Sequence, residues 1–508
     1  MVRLLNVYTI SLFASLGGLI YGFEISSISG VIGTQQYKDF YGNPLGIRQG
    51  GITGAMPAGS IIGAILAGFL GDWLSRKSTI QIGACLWCAG SALQSASNGI
   101  GMLVVGRAVS GICIGLTSTL VPIYQSEIAP RKVRGRIVSF QQFAITWGIL
   151  ILYSIQYGCS FIQSEASFRL PWAIQAIPAV ILFIGLFWFP FSPRWLASRD
   201  RWDEALKVIA YLRTRDSDIS NPLVLAEYRE IEDQIRIERE TETSPLREIF
   251  SKRMRRRVSL SVSMHVVEQL TGSNLLDYYI LYIYQSLNVL DVRLAAFGQY
   301  AIKVVMTIPA ILWSDKWGRR PILIIGALVM AICFFVVTGL FHDFAEPNPV
   351  LDQPDTWVIT DHPTVTILIQ VFLYISIAAF NFSWAPVTWI YSTEIVPLRI
   401  RAKTISIALT FRWIINFTLG FAMPPLIRAS SWGAFLMFGG FNVGASVLVF
   451  CAAPETKQRT LEEMDEIFEH GRPLWKSCLA RKESARLDTT EHHIEPGSLR
   501  SASSHSVL

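Results

Sequence analysis

Two short charged patterns each occur twice in this 508-residue chain. Asp72-Trp-Leu-Ser-Arg76-Lys77 returns as Asp315-Lys-Trp-Gly-Arg319-Arg320. Tyr124, Glu127, Pro130 and Arg134 return at the same spacing as Tyr391, Glu394, Pro397 and Arg401. Carboxylates and guanidiniums at helix ends pair through charge-assisted hydrogen bonds. A network of that kind would clamp two helix bundles together at one end and break when they part. Positive charge placed only to orient a membrane protein needs no acidic partner. Asp72, Glu127, Asp315 and Glu394 therefore favour the clamp.

The elements that must position these motifs are long apolar runs. The chain is 51% hydrophobic and 16% charged, with mean hydropathy +0.39. A run of about 20 apolar residues spans the hydrocarbon core as a helix. About twelve such runs are present, centred near Leu16, Ile61, Leu86, Ile114, Ile149, Leu182, Ile280, Val304, Met330, Tyr374, Thr418 and Val443. Core helices of a large soluble protein would need polar outer faces, which these runs lack. The first run begins after six residues, has no small-residue cleavage site and outlasts a signal-peptide core. It is expected to span, not to be removed.

A polar segment, 198–257, separates six runs (1–197) from six (258–453), and a polar tail follows at 454–508. Tyr228 to Glu240 is predicted to form charged amphipathic helix at the membrane surface. From His492 onward the composition predicts disorder. The paired motifs follow the second and eighth runs, and the fourth and tenth, so the halves read as parallel repeats. Parallel repeats point to a carrier with a central site between them.

The net charge of +6 is concentrated in alternate connections. These hold Arg76, Lys77, Arg131, Lys132, Arg134 and Arg136, then Arg253, Arg255, Arg256 and Arg257, then Arg319, Arg320, Arg399, Arg401 and Lys403. Asp343 to Asp361, on an opposite connection, has no basic residue. The positive-inside rule places the basic loops and both termini in the cytoplasm. Setting topology accounts for these clusters better than nucleic-acid binding does. Cys85 and Cys88 form a CxxC inside an apolar run, with no second pair or His cluster, which favours packing over a metal site. Asn381-Phe-Ser and Asn416-Phe-Thr match the glycosylation pattern but fall inside predicted helices. No phosphate-binding loop, HExxH pair or nucleophile elbow is present, so neither an enzyme nor a cofactor is expected.

With these motifs in view, the chain resembles the sugar porter family of the major facilitator superfamily, particularly its fungal members, from about Leu16 to Phe468. Gly106-Arg107 and Pro122-Ile-Tyr-Gln-Ser-Glu127-Ile-Ala-Pro resemble the fourth-helix signature. Pro190-Phe-Ser-Pro-Arg194-Trp-Leu resembles the motif ending the sixth helix. Gln269-Leu-Thr-Gly-Ser-Asn274 resembles the seventh-helix sugar motif, and Pro454-Glu-Thr-Lys-Gln-Arg the cytoplasmic terminator. The resemblance implies an all-α membrane protein with twelve transmembrane helices in two six-helix bundles, the major facilitator fold. The bundles would rock around a site at the midplane. By position it implies sugar contacts at Gln142, Gln269, Asn274 and Trp389, with Trp413 and Asn416 serving contact, packing or gating. Amides suit that task because they both donate to and accept from hydroxyls, and an indole covers the apolar face of a sugar ring.

Several residues depart from the family pattern. Glu268, Lys303 and Arg412 replace usual amides at site positions, and Asp277 adds a further charge. Charge at membrane depth is costly and rarely accidental. Glu268 could pair internally with Lys303 or Arg412; alternatively Lys303 and Arg412 could bind a carboxylated substrate such as quinate or a uronic acid. Glu24 replaces the Asp of proton-coupled relatives, with Arg107 its expected partner. Such a carboxylate can alternate between paired anion and protonated acid. Trp73, Ser75, Phe191 and Ala385 are smaller departures, the first three weakening the expected charge network. The expectation is a monomeric plasma-membrane transporter of a sugar or related polyol, driven by protons. A non-transporting sensor on the same scaffold is the competing class.

Overall fold

The computed structural model describes residues 7–457 apart from 33, 45, 131–132, 215, 241–244, 290, 348–356, 361 and 431, together with Met464 and Phe468. The tail segment expected to be disordered lies outside the described residues. Among the described residues, ten helices are long and apolar enough to cross a membrane. They are the first (Val7–Ile32), second (Ile47–Trp73), fourth (Ile100–Ile128), fifth (Gly135–Cys159), sixth (Ala166–Trp188), eighth (Val292–Trp313), ninth (Arg319–Phe344), tenth (Pro363–Ile395), eleventh (Ile400–Ile427) and twelfth (Gly433–Ala452) spans. Two further helices complete the expected twelve. The third, Arg76–Ser95, begins with two basic residues and carries Gln81 and Gln94, which dilute its hydropathy. The seventh is broken into Lys252–Leu270, Ser273–Tyr278 and Ile280–Ser286.

The first break in the seventh span has a local cause. Gly272 sits at φ 89°, a left-handed conformation that only glycine adopts without strain. A Cβ there would also lie 2.9 Å from the Phe438 ring.

The two halves pack by one plan. In the first, the second and third spans lie on the fourth, and the first span on the fifth. In the second, the eighth and ninth lie on the tenth, and the seventh on the eleventh. The halves meet along two seams, second against eleventh and fifth against eighth, which a two-fold exchange of the halves interconverts. Small residues set the closest approach. Gly59 faces the Ala108 carbonyl and Gly111 faces the Met56 carbonyl so tightly that a Cβ at either would overlap it. The outer faces are bare apolar surface: Phe69, Phe187, Ile332 and Val447 are all more than half exposed. Lipid satisfies such faces, and helices satisfy their own backbone there.

At the basic-loop end, helices Trp202–Arg213 and Pro222–Glu240 fold over the first half around a small core that includes Trp195, Leu196 and Ile235. The Arg213 guanidinium clasps Glu227 through two bonds of 2.6 and 2.7 Å. At the opposite end a two-residue antiparallel ladder pairs Glu346–Pro347 with Trp357–Val358.

Candidate functional site

The seams enclose a central cavity of about 30 Å³. That is the space of roughly one water, far below the several hundred Å³ of a small-molecule pocket. Six spans line the cavity: Tyr21 from the first, Gln142 from the fifth, Glu268, Gln269, Asn274 and Asp277 from the seventh, Lys303 from the eighth, Asn381 from the tenth and Arg412 from the eleventh.

The charges at this depth are arranged as two pairs. Arg412 Nη2 lies 3.1 Å from Glu268, both side chains buried. Lys303 pairs with Asp277, not with Glu268, and is likewise buried. The alternative pairing of Glu268 with Lys303 is therefore overturned, because Asp277 stands between the break in the seventh span and the eighth span and takes the ammonium itself. Each cation named as a carboxylate receptor already holds a carboxylate.

The amides cluster beside the first pair. Gln269 contacts Asn274 and lies 3.0 Å from Asn416 Nδ2. Turned so that its oxygen faces the guanidinium, Gln269 accepts from Arg412 Nε at 2.6 Å and Nη2 at 3.1 Å. The Tyr278 hydroxyl donates to Asn416 at 3.3 Å. Gln142 lines the cavity half-buried, directly across from the seventh span. Trp389 is not on the cavity wall; it lies under Arg412, ring to guanidinium 5.0 Å. Trp413 packs edge-on against Tyr21 at 5.4 Å. The indole N–H groups of Trp389 and Trp413 and the Nη1 of Arg412 are buried donors without acceptors among the described residues. Asn381 and Asn416 are buried inside helices, each bonded within the protein, as expected for unmodified side chains.

Glu24 and Arg107 do meet, fully buried, with Nη2 3.1 Å from Oε1. Arg107 spends its best-aligned bonds elsewhere, Nε on the Ile52 carbonyl at 2.9 Å and Nη1 on Ser27 at 3.1 Å. Glu24 is held by charge; among the described residues neither of its oxygens has a hydrogen bond.

The repeated motifs build matching clasps at the basic-loop end. In the first half Arg76 reaches Asp72 and Glu127, each at 3.1 Å, and Tyr124 donates to the Pro190 carbonyl at 2.8 Å. In the second, Arg319 grips Glu394 with bonds of 2.8 and 3.1 Å, and Tyr391 donates to the Pro454 carbonyl at 3.0 Å. Arg401 bonds the Val396 carbonyl on its own span. The calls on Arg134 and Asp315 lie outside the described side chains. The clasps differ in how the start of the following span is held. Glu455 accepts from the backbone N–H of Arg319 and Arg320, at 3.0 and 3.1 Å, and so caps the ninth span. Its counterpart Phe191 offers a ring 4.7 Å from Lys77 Nζ. Beside the first clasp lies a cavity of about 640 Å³, bordered by Asp72, Arg76 and Glu127, by Glu227 and Glu230 of the Pro222–Glu240 helix, and by Arg401 and Lys403 of the other half.

Sequence reasoning missed His265 and Tyr21. His265 is fully buried, 3.3 Å from Glu268 and 3.2 Å from Ser392. Its spacing three residues before Glu268 on a helix was the available signal. Tyr21 reaches across from the first half to Arg412 at 3.4 Å, and no pattern in the sequence announced it.

The family described as Sugar (and other) transporter matches residues 10–468. The chain is similar to the MFS glucose transporter mfs1 of Aspergillus flavus, 44% identical over 99% of this chain and 97% of that protein. It is also similar to the high-affinity glucose transporter of Kluyveromyces lactis, 37% identical over 93% of this chain and 87% of that protein. Among solved structures it is similar to the proton:xylose symporter XylE bound to 6-bromo-6-deoxy-D-glucose. That match has 26% identity and a TM-score of 0.76, over 91% of this chain and 99% of that chain. A chain with this two-fold helical plan and these matches is a multi-pass membrane protein that belongs to the sugar porter family of the major facilitator superfamily.

Proposed function

We propose that the protein carries a neutral sugar, glucose or a close hexose, across the plasma membrane by alternating access and together with a proton. The observation that carries this reading is the internal pairing of the site's charges: Arg412 with Glu268 and Lys303 with Asp277. Those pairs sum to zero and leave no cation in want of an anion. What remains for a solute is amide hydrogen bonding from Gln142, Gln269 and Asn274, with a buried donor on Arg412. A polyol suits such a site, and the relatives named glucose transporters support the class. An acidic solute would have to displace a carboxylate from each cation first.

Proton coupling is assigned to Glu24 and Arg107. When a proton neutralises Glu24, Arg107 keeps its bonds to Ile52 and Ser27. Residues 1–197 and 258–453 act as the rocking bundles, 198–257 as a cytoplasmic linker and 454–508 as a cytoplasmic tail, in a monomer. The clasps of Asp72, Arg76, Glu127 and Arg134, and of Asp315, Arg319, Glu394 and Arg401, lock the cytoplasmic end while the site faces outward. The central cavity must widen by an order of magnitude to admit sugar, which the parting of the seams supplies.

The test is uptake of labelled hexoses, pentoses, polyols, uronic acids and quinate in transporter-deficient cells, with and without a protonophore. Hexose uptake that the protonophore abolishes is the expected result. Preference for an acid overturns the neutral-sugar reading. No uptake from a correctly inserted protein points to a sensor.

A further inference from the structure

We propose that His265 is a positioning residue for the sugar site, holding Glu268 against Arg412 when neutral and drawing it away when protonated, so that sugar affinity follows pH. This rests on the transport reading above.

The geometry starts from who can donate. A carboxylate only accepts, so the neutral imidazole must carry its hydrogen on Nδ1, facing Glu268 Oε2 at 3.3 Å. Nε2 is then bare and accepts from the Ser392 hydroxyl, 3.2 Å away on the tenth span. A proton from solvent that adds to Nε2 finds the same hydroxyl, which rotates to accept it. The ring is bonded in both charge states, so a fully buried imidazole changes charge here without orphaning a polar atom.

The surroundings make that change matter. Glu268 comes from the same helix and Arg412 from the eleventh span. The tenth span adds the Ser392 hydroxyl and the Trp389 ring, edge-on at 5.3 Å. The first span brings the Tyr21 hydroxyl to Arg412. One carboxylate therefore serves two basic groups. With His265 neutral, Glu268 and Arg412 cancel. With His265 charged, two cations compete for Glu268, and the grip on Arg412 loosens. Arg412 lines the cavity and already has one unpartnered Nη1, so the freed guanidinium offers donors to sugar hydroxyls.

Wild type, His265→Asn and His265→Leu are compared for glucose uptake and for equilibrium binding to purified protein from pH 5 to 8. Asn keeps a donor near the Nδ1 position but cannot titrate. Wild-type KM and Kd are expected to fall roughly five- to tenfold on acidification, a coupling of ordinary size. In H265N they should be flat with pH, and in H265L raised throughout. A second readout needs no sugar: the pH-dependent fluorescence lost in Trp389→Phe should also be lost in H265N. A wild-type KM slope in H265N, or no Trp389-dependent fluorescence step in wild type, overturns the proposal. If no sugar is carried or bound, the transport reading fails, and the fluorescence step still decides whether His265 titrates against Trp389.

Discussion

Replacing Glu268 by Gln isolates the cost of stranding a charge at membrane depth. Glu268 lies 3.1 Å from Arg412, with side chains 2% and 8% exposed. Removing one partner of a buried pair costs about 3–5 kcal/mol, because the other charge stays desolvated. Arg412 keeps softer contacts, the Trp389 ring at 5.0 Å, the Trp413 ring at 6.0 Å and the Tyr21 hydroxyl at 3.4 Å. A desolvated cation–π contact is worth up to about 2 kcal/mol. The loss in E268Q should therefore sit near the lower bound, about 3 kcal/mol. Arg412→Asn should cost less, since an abandoned carboxyl can take up a proton and become neutral. The double variant E268Q/R412N carries no charge here and should return to within about 1 kcal/mol of wild type, a coupling of about 2 kcal/mol or more. Equilibrium unfolding in mixed detergent micelles, followed by tryptophan fluorescence, measures all four corners of the cycle. If E268Q unfolds with the wild type, or the double variant is no more stable than E268Q, the pair does not hold the site as argued.

Glu24→Gln should keep downhill sugar uptake and lose accumulation against a gradient; accumulation that persists and remains protonophore-sensitive removes Glu24 from the coupling role. Lys303→Asn alone strands Asp277 and should lower the yield of folded protein, whereas K303N/D277N should restore both yield and hexose uptake. Selective loss of acid uptake in K303N would instead restore Lys303 as a substrate receptor. Phe191→Glu supplies the carboxylate that Glu455 supplies in the other half, and should add about 0.5–1 kcal/mol to that clasp. It should slow turnover at unchanged Kd for sugar; faster turnover would deny the clasp a gating role. At the surface, the hydrogen bond from Arg239 to Asp200, 2.7 Å long, holds that carboxyl below the usual carboxylate range. Its folded value is depressed, so the contact stabilises above the ordinary value, about 4, and is lost as pH falls through the depressed one. Amide protection in Pro222–Glu240, relative to the intrinsic exchange rate, should fall below about pH 4 and already be lower at neutral pH in Asp200→Asn. Equal exchange in wild type and D200N removes the contact from the docking of that helix.

The clasps were legible because their residues sit close together in sequence at helix ends. Tyr124 with Glu127, and Tyr391 with Glu394, announce a repeat by spacing alone, and both tyrosines do reach the carbonyl of a proline, Pro190 and Pro454. The third span was legible as an apolar run even though its charged start dilutes it. The charge pairing in the site was not legible. On an unbroken helix, with about 100° per residue, Glu268 and Asp277 would point to opposite sides. The left-handed turn at Gly272 resets the phase, so both line one cavity and Lys303 finds Asp277. A sequence shows that a glycine is present but not the angle at which the chain resumes. Trp389 was placed on the sugar by position, yet the guanidinium of Arg412 covers it. That outcome depends on how two spans lean together, which no local pattern encodes.

The three ion pairs at the depth of the cavity share a property that bears on membrane voltage. Glu24 and Arg107 belong to the first half; Glu268 with Arg412, and Asp277 with Lys303, belong to the second. The bonds that cross between halves at that depth run through hydroxyls: Tyr300 to Ser29 at 3.2 Å, Arg412 to Tyr21 at 3.4 Å, and Ser406 to the Ala64 carbonyl at 2.6 Å. Rocking the halves separates these bonds and leaves every buried pair intact. Moving one free charge through the full membrane field changes the energy by about 2.3 kcal/mol per 100 mV; moving a closed pair changes it far less. In a carrier built this way the empty protein turns over almost unseen by the field. If Glu24 carries the proton as proposed above, the membrane potential acts on that loaded form, and a negative interior pushes it inward.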